Sequence, residues 1–592
     1  MVITMYKYIS YDKDFFTVPL ENNPHKIVTP LLINGILGII FGLLLVKYQW
    51  AVEHAQVLSG LVEYPKTHTF YLSAHKAWTL INQISTIYLR IGFSEISLCY
   101  ILSALAGMIS FQAIGVLTFS LTRSTLVSTI SSILVFMLYG SYLNGVTYAI
   151  MFIGTGQTYG MIGLSLIVLN VGFFSCGQYK YGLFLLGLSP CLHPSQGIMA
   201  CLIILLASIF DLKHTSKIFI HNKWFFALGA LISLLSFFSH EISKSPMPSI
   251  PDTELVKYQE SIILYWSEHF RRFSFRSKEF LSAVLSLFLA IQILLLKGTK
   301  TNISLYFLSR SITACSILGI SLSFVYWITP SEIGPYYKIL MLYPARVLNF
   351  NILVLTPLLY SLFYNEGRKF RPLFILYVGT LLVIYFKPLS NELYLFKANC
   401  FFVFIFASIR LIQISNIKNF LSDYLFQIFM KSLLFILILY NLVSSIKAWN
   451  FSRHNYFAKN SDPVIHELKN GTGLVLNSPT QGSWLMIQTR RPQVFNAGTS
   501  VLTYVPEAGP NFHEIFSTIY GISFLSPPKN IRQFKGGLPE EYVISLWNKK
   551  SSKDWFDLSK KFGFTQILTT KSYKLNLPII AKNNTQILYD VR

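Results

Sequence analysis

"PLLINGILGIIFGLLLVK", residues 30–47, runs straight into "QWAVEHAQVLSGLVEYP", Gln49–Pro65. The first stretch has no charge before Lys47. In lipid the backbone must satisfy its hydrogen bonds inside a helix, so such a run reads as a membrane span. The second stretch opens on Trp50, an aromatic-belt residue. It then sets Glu53 beside His54 and stops at Pro65. A span followed at once by an acid and a histidine decides how the rest is read: does the pattern repeat?

It repeats to about residue 446. Of 592 residues, 53% are apolar and only 13% charged, which excludes an ordinary soluble domain. Hydropathy predicts about thirteen spans, near 30–47, 95–120, 124–143, 158–175, 180–192, 195–211, 223–239, 279–296, 304–328, 346–363, 371–387, 394–412 and 426–446. The N-terminal "MVITMYKYISYDKDFFTVPLENNPHK" is polar for too long to be a cleavable signal, so the first span is expected to be retained. The six cysteines all lie in or beside apolar runs and match no zinc spacing.

The net charge of +23 does not imply a nucleic-acid partner, because the basic residues gather in short loops. With the N-terminus inside, the inner loops carry Arg123, Lys180, Lys213, Lys217, Lys223, Lys297, Lys300, Arg368, Lys369, Arg371, Arg410 and Lys418. The outer short loops carry little beyond Lys338. The expected orientation is therefore N-terminus in and C-terminus out. It puts loop 48–94, the "HPSQG" turn, loop 240–278 and everything after residue 446 on one outer face.

The last part changes character. "GTGLVLNSP", "PQVFNAG", "FTQILTT" and "TQILYDV" read as strands, and "QGSWLMIQTRR" and "EEYVISLWNKKSSKDWFDLSKKFG" as helices. The predicted fold is mainly α. A polytopic transmembrane helical bundle of about 11–13 spans occupies 1–448, and a small C-terminal α/β extracytoplasmic domain occupies 449–592.

Five groups of residues are candidates for chemistry. Drawn as a helix, the opening stretch puts Ala51, Ala55, Leu58 and Val62 on one face. Glu53, Gln56, Gly60 and Glu63 share an arc of about 80° on another. This predicts an amphipathic helix on the outer membrane surface; a merely wetted polar side would look the same. In "LSPCLHPSQG", Pro190 and Pro194 bracket His193, which predicts a broken span with the histidine in a hydrated pocket, or a plain hairpin turn. "YWSEHFRRFSF" interleaves His269, Arg271 and Arg272 with aromatics. That suits phosphate oxygens, or arginines snorkelling to headgroups. Arg346 in "YPARVLNF" sits at a span boundary after Pro344, where an arginine invites a functional reading. Arg490 and Arg491 in "QTRRPQVFNAG" read as cations closing a helix before Pro492.

An acid in the first outer loop right after the first span, a surface helix, many further spans and a C-terminal outer domain together resemble the GT-C class of membrane glycosyltransferases. The likeness is to the bacterial multi-pass members with a short α/β C-terminal domain. "HP" at a broken span and "TRRP" before a short strand are similar to that group. The resemblance implies transfer of a sugar from a polyprenyl-phosphate donor to an outer-face glycan, lipid or protein acceptor in cell-envelope polysaccharide assembly, in the bacterial inner membrane among its lipids. It also implies that Glu53 is the catalytic base or a ligand of a divalent cation, Mg or Mn. His54 then stands beside it where the class often has a second acid. Held near the leaving phosphate would be His193, His269, Arg271, Arg272 and Arg346. Two other classes stay open: a lipid-linked glycan flippase or transporter, and a non-catalytic assembly protein with a transferase-like fold. No "GxxxxGK[ST]", "GxGxxG" or "HExxH" occurs, so no nucleotide-driven pump, dinucleotide enzyme or zincin is supported.

Overall fold

A computed structural model describes residues 27–140, 143–209, 212–265, 273–295, 303–328, 342–365, 370–386, 391–412, 423–455, 462–479, 484–495, 505–526, 528, 538 and 540–591. The first span is α1 (Val28–Leu44). Three short helices follow: α2 (Trp50–Ser59), α3 (Thr69–Lys76) and α4 (Leu80–Arg90). The membrane part continues with α5 (Glu95–Thr122), α6 (Thr125–Tyr139), α7 (Thr158–Ser175), α8 (Tyr179–Leu192), α9 (Pro194–Ile209) and α10 (Leu212–Ser243). After α11 (Asp252–Tyr265) come α12 (Lys278–Leu295), α13 (Ile303–Ile328), α14 (Pro344–Asn365), α15 (Arg371–Phe386), α16 (Asn391–Ile412) and α17 (Asp423–Asn455).

The thirteen expected apolar segments are all helical. Among the described residues seven helices are long and apolar enough to cross a membrane, and α1, α6, α9 and α15 are shorter apolar ones. α7 and α14 are buried along almost their whole length, whereas α10 and α17 are mostly exposed. The exposed faces are apolar, with Leu228, Leu231, Leu234, Leu235 and Phe238 uncovered on α10. Lipid is the solvent such a surface suits. Two local expectations change. Lys217 and Lys223 are not in a loop, because α10 already begins at Leu212. Pro190 lies inside α8, and the chain breaks only at His193, whose backbone is extended (φ −153°, ψ 99°).

Without a hydrophobic force between helices in lipid, close packing through small residues holds a bundle together. α1 and α5 meet in this way. A Cβ on Gly38 would lie 2.2 Å from the Gly107 carbonyl oxygen, and one on Gly42 would lie 2.3 Å from that of Ser103. α8 and α10 repeat the device, with Gly229 against the Phe184 carbonyl.

After α17 come α18 (Pro463–Asn470), β1 (Leu474–Asn477), α19 (Trp484–Thr489), α20 (Gly509–Ile519), α21 (Glu540–Trp547), α22 (Ser552–Phe562), β2 (Phe564–Thr570), β3 (Ile579–Lys582) and β4 (Gln586–Asp590). The sheet order is β1-β2-β4-β3. β1 runs parallel to β2, and the other pairs are antiparallel. Trp547, Trp555, Phe516 and Tyr573 fill the core on one face. Of the strand expected at "PQVFNAG", the described residues 492–495 form one bridge, Gln493 with Val475. Arg490 turns the chain with a left-handed φ of 55°, and side chains from the first loop take up the outer edge of the segment.

The seam between α1 and α5 gives a direct test. Gly38→Ala is expected to cost about 1–3 kcal/mol through overpacking. Gly379→Ala in α15, where an added methyl meets nothing within 4 Å, is expected to be neutral or stabilising. Thermal melting of the two variants in detergent checks this; equal melting temperatures would refute the close contact.

Candidate functional site

The chain leaves α1 and turns into α2 at Gln49, which is wholly buried. Its amide nitrogen donates to Ser103 Oγ at 3.0 Å and to the Thr155 carbonyl at 2.9 Å. Its oxygen accepts from Thr158 Oγ1 at 2.8 Å. Three separate stretches are thereby tied at the base of the first loop. α2 then enters the protein instead of lying on the membrane surface. Every residue from Ala51 to Val57 is buried, with Glu53 1% and His54 3% exposed. The surface-helix expectation is corrected here: the polar stripe meets protein, because α4 and the C-terminal α19 both pack on α2.

His54 Nδ1 lies 3.1 Å from the Tyr159 hydroxyl, and that hydroxyl donates to Asn82 Oδ1. Burial pushes the His54 ring down to about 4, so it is neutral at ordinary pH. Phe70 packs on the rings of both His54 and Tyr64. The Glu53 charge is felt at Tyr64, where burial foremost raises the phenol above its usual range. Among the described residues no group of three or more His, Cys, Asp or Glu comes together to hold a metal ion.

A seam joins this loop to the C-terminal part. Arg490 grips Glu95 through two nitrogens, at 2.6 Å and 3.2 Å, and the Glu95 contact raises the guanidinium's pKa further. Gln56 donates to Glu95 at 3.3 Å and to the Met486 carbonyl at 3.1 Å. The Gln493 amide donates to the Tyr64 hydroxyl at 2.8 Å, and the His68 ring meets the Val494 carbonyl at 3.2 Å. Neither Glu95 nor this use of Arg490 was visible in the sequence. The signal for Glu95 was an acid opening an apolar run, in "FSEISLCY". Arg491 does something else. It is 4% exposed and donates to the Leu468, Thr472 and Gly473 carbonyls and to Gln566, bracing the C-terminal fold.

His193 and Arg346 do come together. With Tyr148, Met151, Gly160, Gln196 and Asn349 they line a cleft of about 350 Å3 that is open to solvent. The Arg346 guanidinium lies between two rings, 3.8 Å from the Tyr148 centroid and 3.9 Å from that of Tyr343. Asn349 fixes the Tyr148 loop by accepting from Val146 N at 2.7 Å and donating to the Tyr148 carbonyl at 3.0 Å. Arg346 Nε and Nη2 are buried with no hydrogen-bond partner among the described residues. Tyr159 and Gly160, neighbours in the first turn of α7, face the Glu53–His54 cluster and this cleft respectively. Glu53 does not line the cleft. His269, Arg271 and Arg272 lie outside the described residues.

No family model matches the chain, and no curated protein does. Among solved structures, the apo-state crystal structure of ArnT from Cupriavidus metallidurans aligns with 95% of this chain and 98% of its own. The TM-score is 0.39 and the identity 10%.

The buried histidines make stability depend on pH. Burial holds His54 and His68 at about 4, below the unfolded value of about 6.5. The unfolded chain therefore takes up protons first as pH falls. Stability is full above pH 6.5 and drops towards pH 4, by at most about 1.4 kcal/mol per pH unit per histidine. Melting curves at pH 7 and pH 5 check this, and His54→Gln is expected to reduce the difference.

Proposed function

We propose that this chain is an integral-membrane glycosyltransferase of GT-C type. It takes a sugar from a polyprenyl-phosphate donor and passes it to a glycan, lipid or protein acceptor in bacterial cell-surface assembly. The observation that carries this reading is Arg346. Its guanidinium is ordered between two phenol rings, and two of its buried nitrogens lack partners among the described residues, in a cleft shared with His193. A buried, unsatisfied cation is costly, and a phosphate oxygen supplies what it lacks. Arg346 opens α14, so a donor whose lipid tail stays in the membrane can bring its phosphate there. The bias of basic residues to the other loops supports placing this end of the bundle on the outer face of the membrane.

In this reading the acceptor hydroxyl gives its proton to the Glu53 carboxylate as its oxygen bonds to the anomeric carbon. The bond from that carbon to the phosphate oxygen breaks, and the polyprenyl phosphate leaves with the electron pair. Its negative charge is met by Arg346. No step is routed through a metal ion.

A second reading is favoured by one observation: Glu53 is 1% exposed, inside the packing beneath α19. In a non-catalytic assembly protein that carboxylate would be a strut of the seam. The readings separate in a transfer assay with radiolabelled polyprenyl-phosphate sugars. Arg346→Ala is expected to weaken donor use at least tenfold, and Glu53→Gln to abolish transfer with melting temperature and expression unchanged. Transfer retained in Glu53→Gln, with a lowered melting temperature, would make Glu53 structural. Full donor use by Arg346→Ala would sink the phosphate site.

A further inference from the structure

A second cleft lies elsewhere on the bundle, between α6, α12, α14 and α16, with about 390 Å3 of space that is open to solvent. Its lining divides in two. Leu355 and Phe396 represent an apolar portion. Lys278, Glu279, Glu392 and Asn144 form a charged portion. Lys278 and Glu392 stand at the first turns of α12 and α16, each the start of an apolar helix, so the charges sit at one edge of the bundle. The outer surfaces of the same two helices are uncovered and apolar, at Phe288 and Phe404 for example.

The charges are arranged around one ammonium. Lys278 Nζ is paired with Glu392 and lies 3.9 Å from Glu279 Oε1. Glu392 is held in place by the Asn144 backbone and side-chain nitrogens, both at 3.0 Å. The Glu279 contact is long for a hydrogen-bonded ion pair, so its carboxylate keeps accepting capacity. Two carboxylates and one lysine give the mouth a net negative charge that still contains a cation. A simple anion does not suit that pattern. A group with a primary ammonium and a phosphate a few ångströms apart does: the ammonium can donate to Glu279 while Lys278 faces the phosphate. The apolar portion below suits a hydrocarbon chain.

The geometry points to a binding site for a zwitterionic phospholipid with a primary amine, of the phosphatidylethanolamine type, at this cleft. The site is separate from the Arg346 cleft and does not depend on the transferase reading. Glu279 selects the amine, Lys278 meets the phosphodiester, and one acyl chain lies against Leu355 and Phe396.

The test uses the full chain, purified and delipidated in detergent, with native mass spectrometry and lipid-dependent melting as readouts. Phosphatidylethanolamine is expected to bind at a one-to-one ratio and raise the melting temperature. Phosphatidylglycerol lacks the amine and phosphatidylcholine cannot donate from its nitrogen, so both are expected to bind at least tenfold more weakly. Glycerophosphoethanolamine, the headgroup without chains, is expected to be weaker by a similar factor. Glu279→Gln should remove the preference for the amine without lowering the lipid-free melting temperature. Leu355→Trp, which fills the slot, should remove binding. Equal binding of the three lipids, or an undiminished preference in Glu279→Gln, would overturn the headgroup assignment. Headgroup binding as tight as that of the intact lipid, or unchanged binding in Leu355→Trp, would overturn the acyl slot.

Discussion

Arg490 reaches across 395 residues of sequence to hold Glu95 at the head of α5. Around that pair, Gln56, Tyr64 and His68 each bond to the segment 486–494. The first loop and the C-terminal part are thus one packed unit. An ion pair whose arginine is half exposed contributes little alone. Its effect here is positional. It fixes where α19 sits, and α19 covers α2. Glu53 and His54 are interior groups, and burial among Phe70, Asn82 and Tyr159 keeps the His54 ring neutral.

The membrane part depends on a different constraint. In lipid, apolar side chains gain nothing by leaving lipid for each other, so contact distance matters most. Gly38 on Gly107 and Gly229 on the Phe184 carbonyl bring helix backbones together. Buried polar groups add directed contacts between helices, as where Asn351 Nδ2 donates to Ser316 at 2.7 Å. Arg346 Nε and Nη2 are among the buried polar atoms that lack a partner among the described residues, and each such group carries a desolvation cost.

Much of the architecture was legible because its signals are local. Hydropathy located thirteen helices, since apolar length alone dictates a span. The strands "FTQILTT" and "TQILYDV" appear as β2 and β4. The miss at "PQVFNAG" is instructive: its composition suits a strand, but Tyr64 and His68 take the places of strand partners. The site was less legible. A helical projection showed the polar stripe of α2 but not what covers it, because that cover comes from α19. His193 and Arg346 were singled out separately, one from a proline pair and one from a boundary arginine. Their shared cleft, and the Tyr148–Arg346–Tyr343 stack, join stretches that no local pattern links.

Tyr343 belongs to two structures at once. It is 1% exposed within the apolar cluster that includes Phe516 and Trp547 of the C-terminal part, and its ring forms one wall of the Arg346 stack. The other wall, Tyr148, is anchored to α14 through Asn349. The guanidinium is therefore held by one ring that precedes its own helix, with Arg346 N donating to the Tyr343 carbonyl at 2.9 Å, and that same ring is embedded in the C-terminal core where it meets the bundle. The grip on that arginine is thus a gauge of how well the two parts are seated.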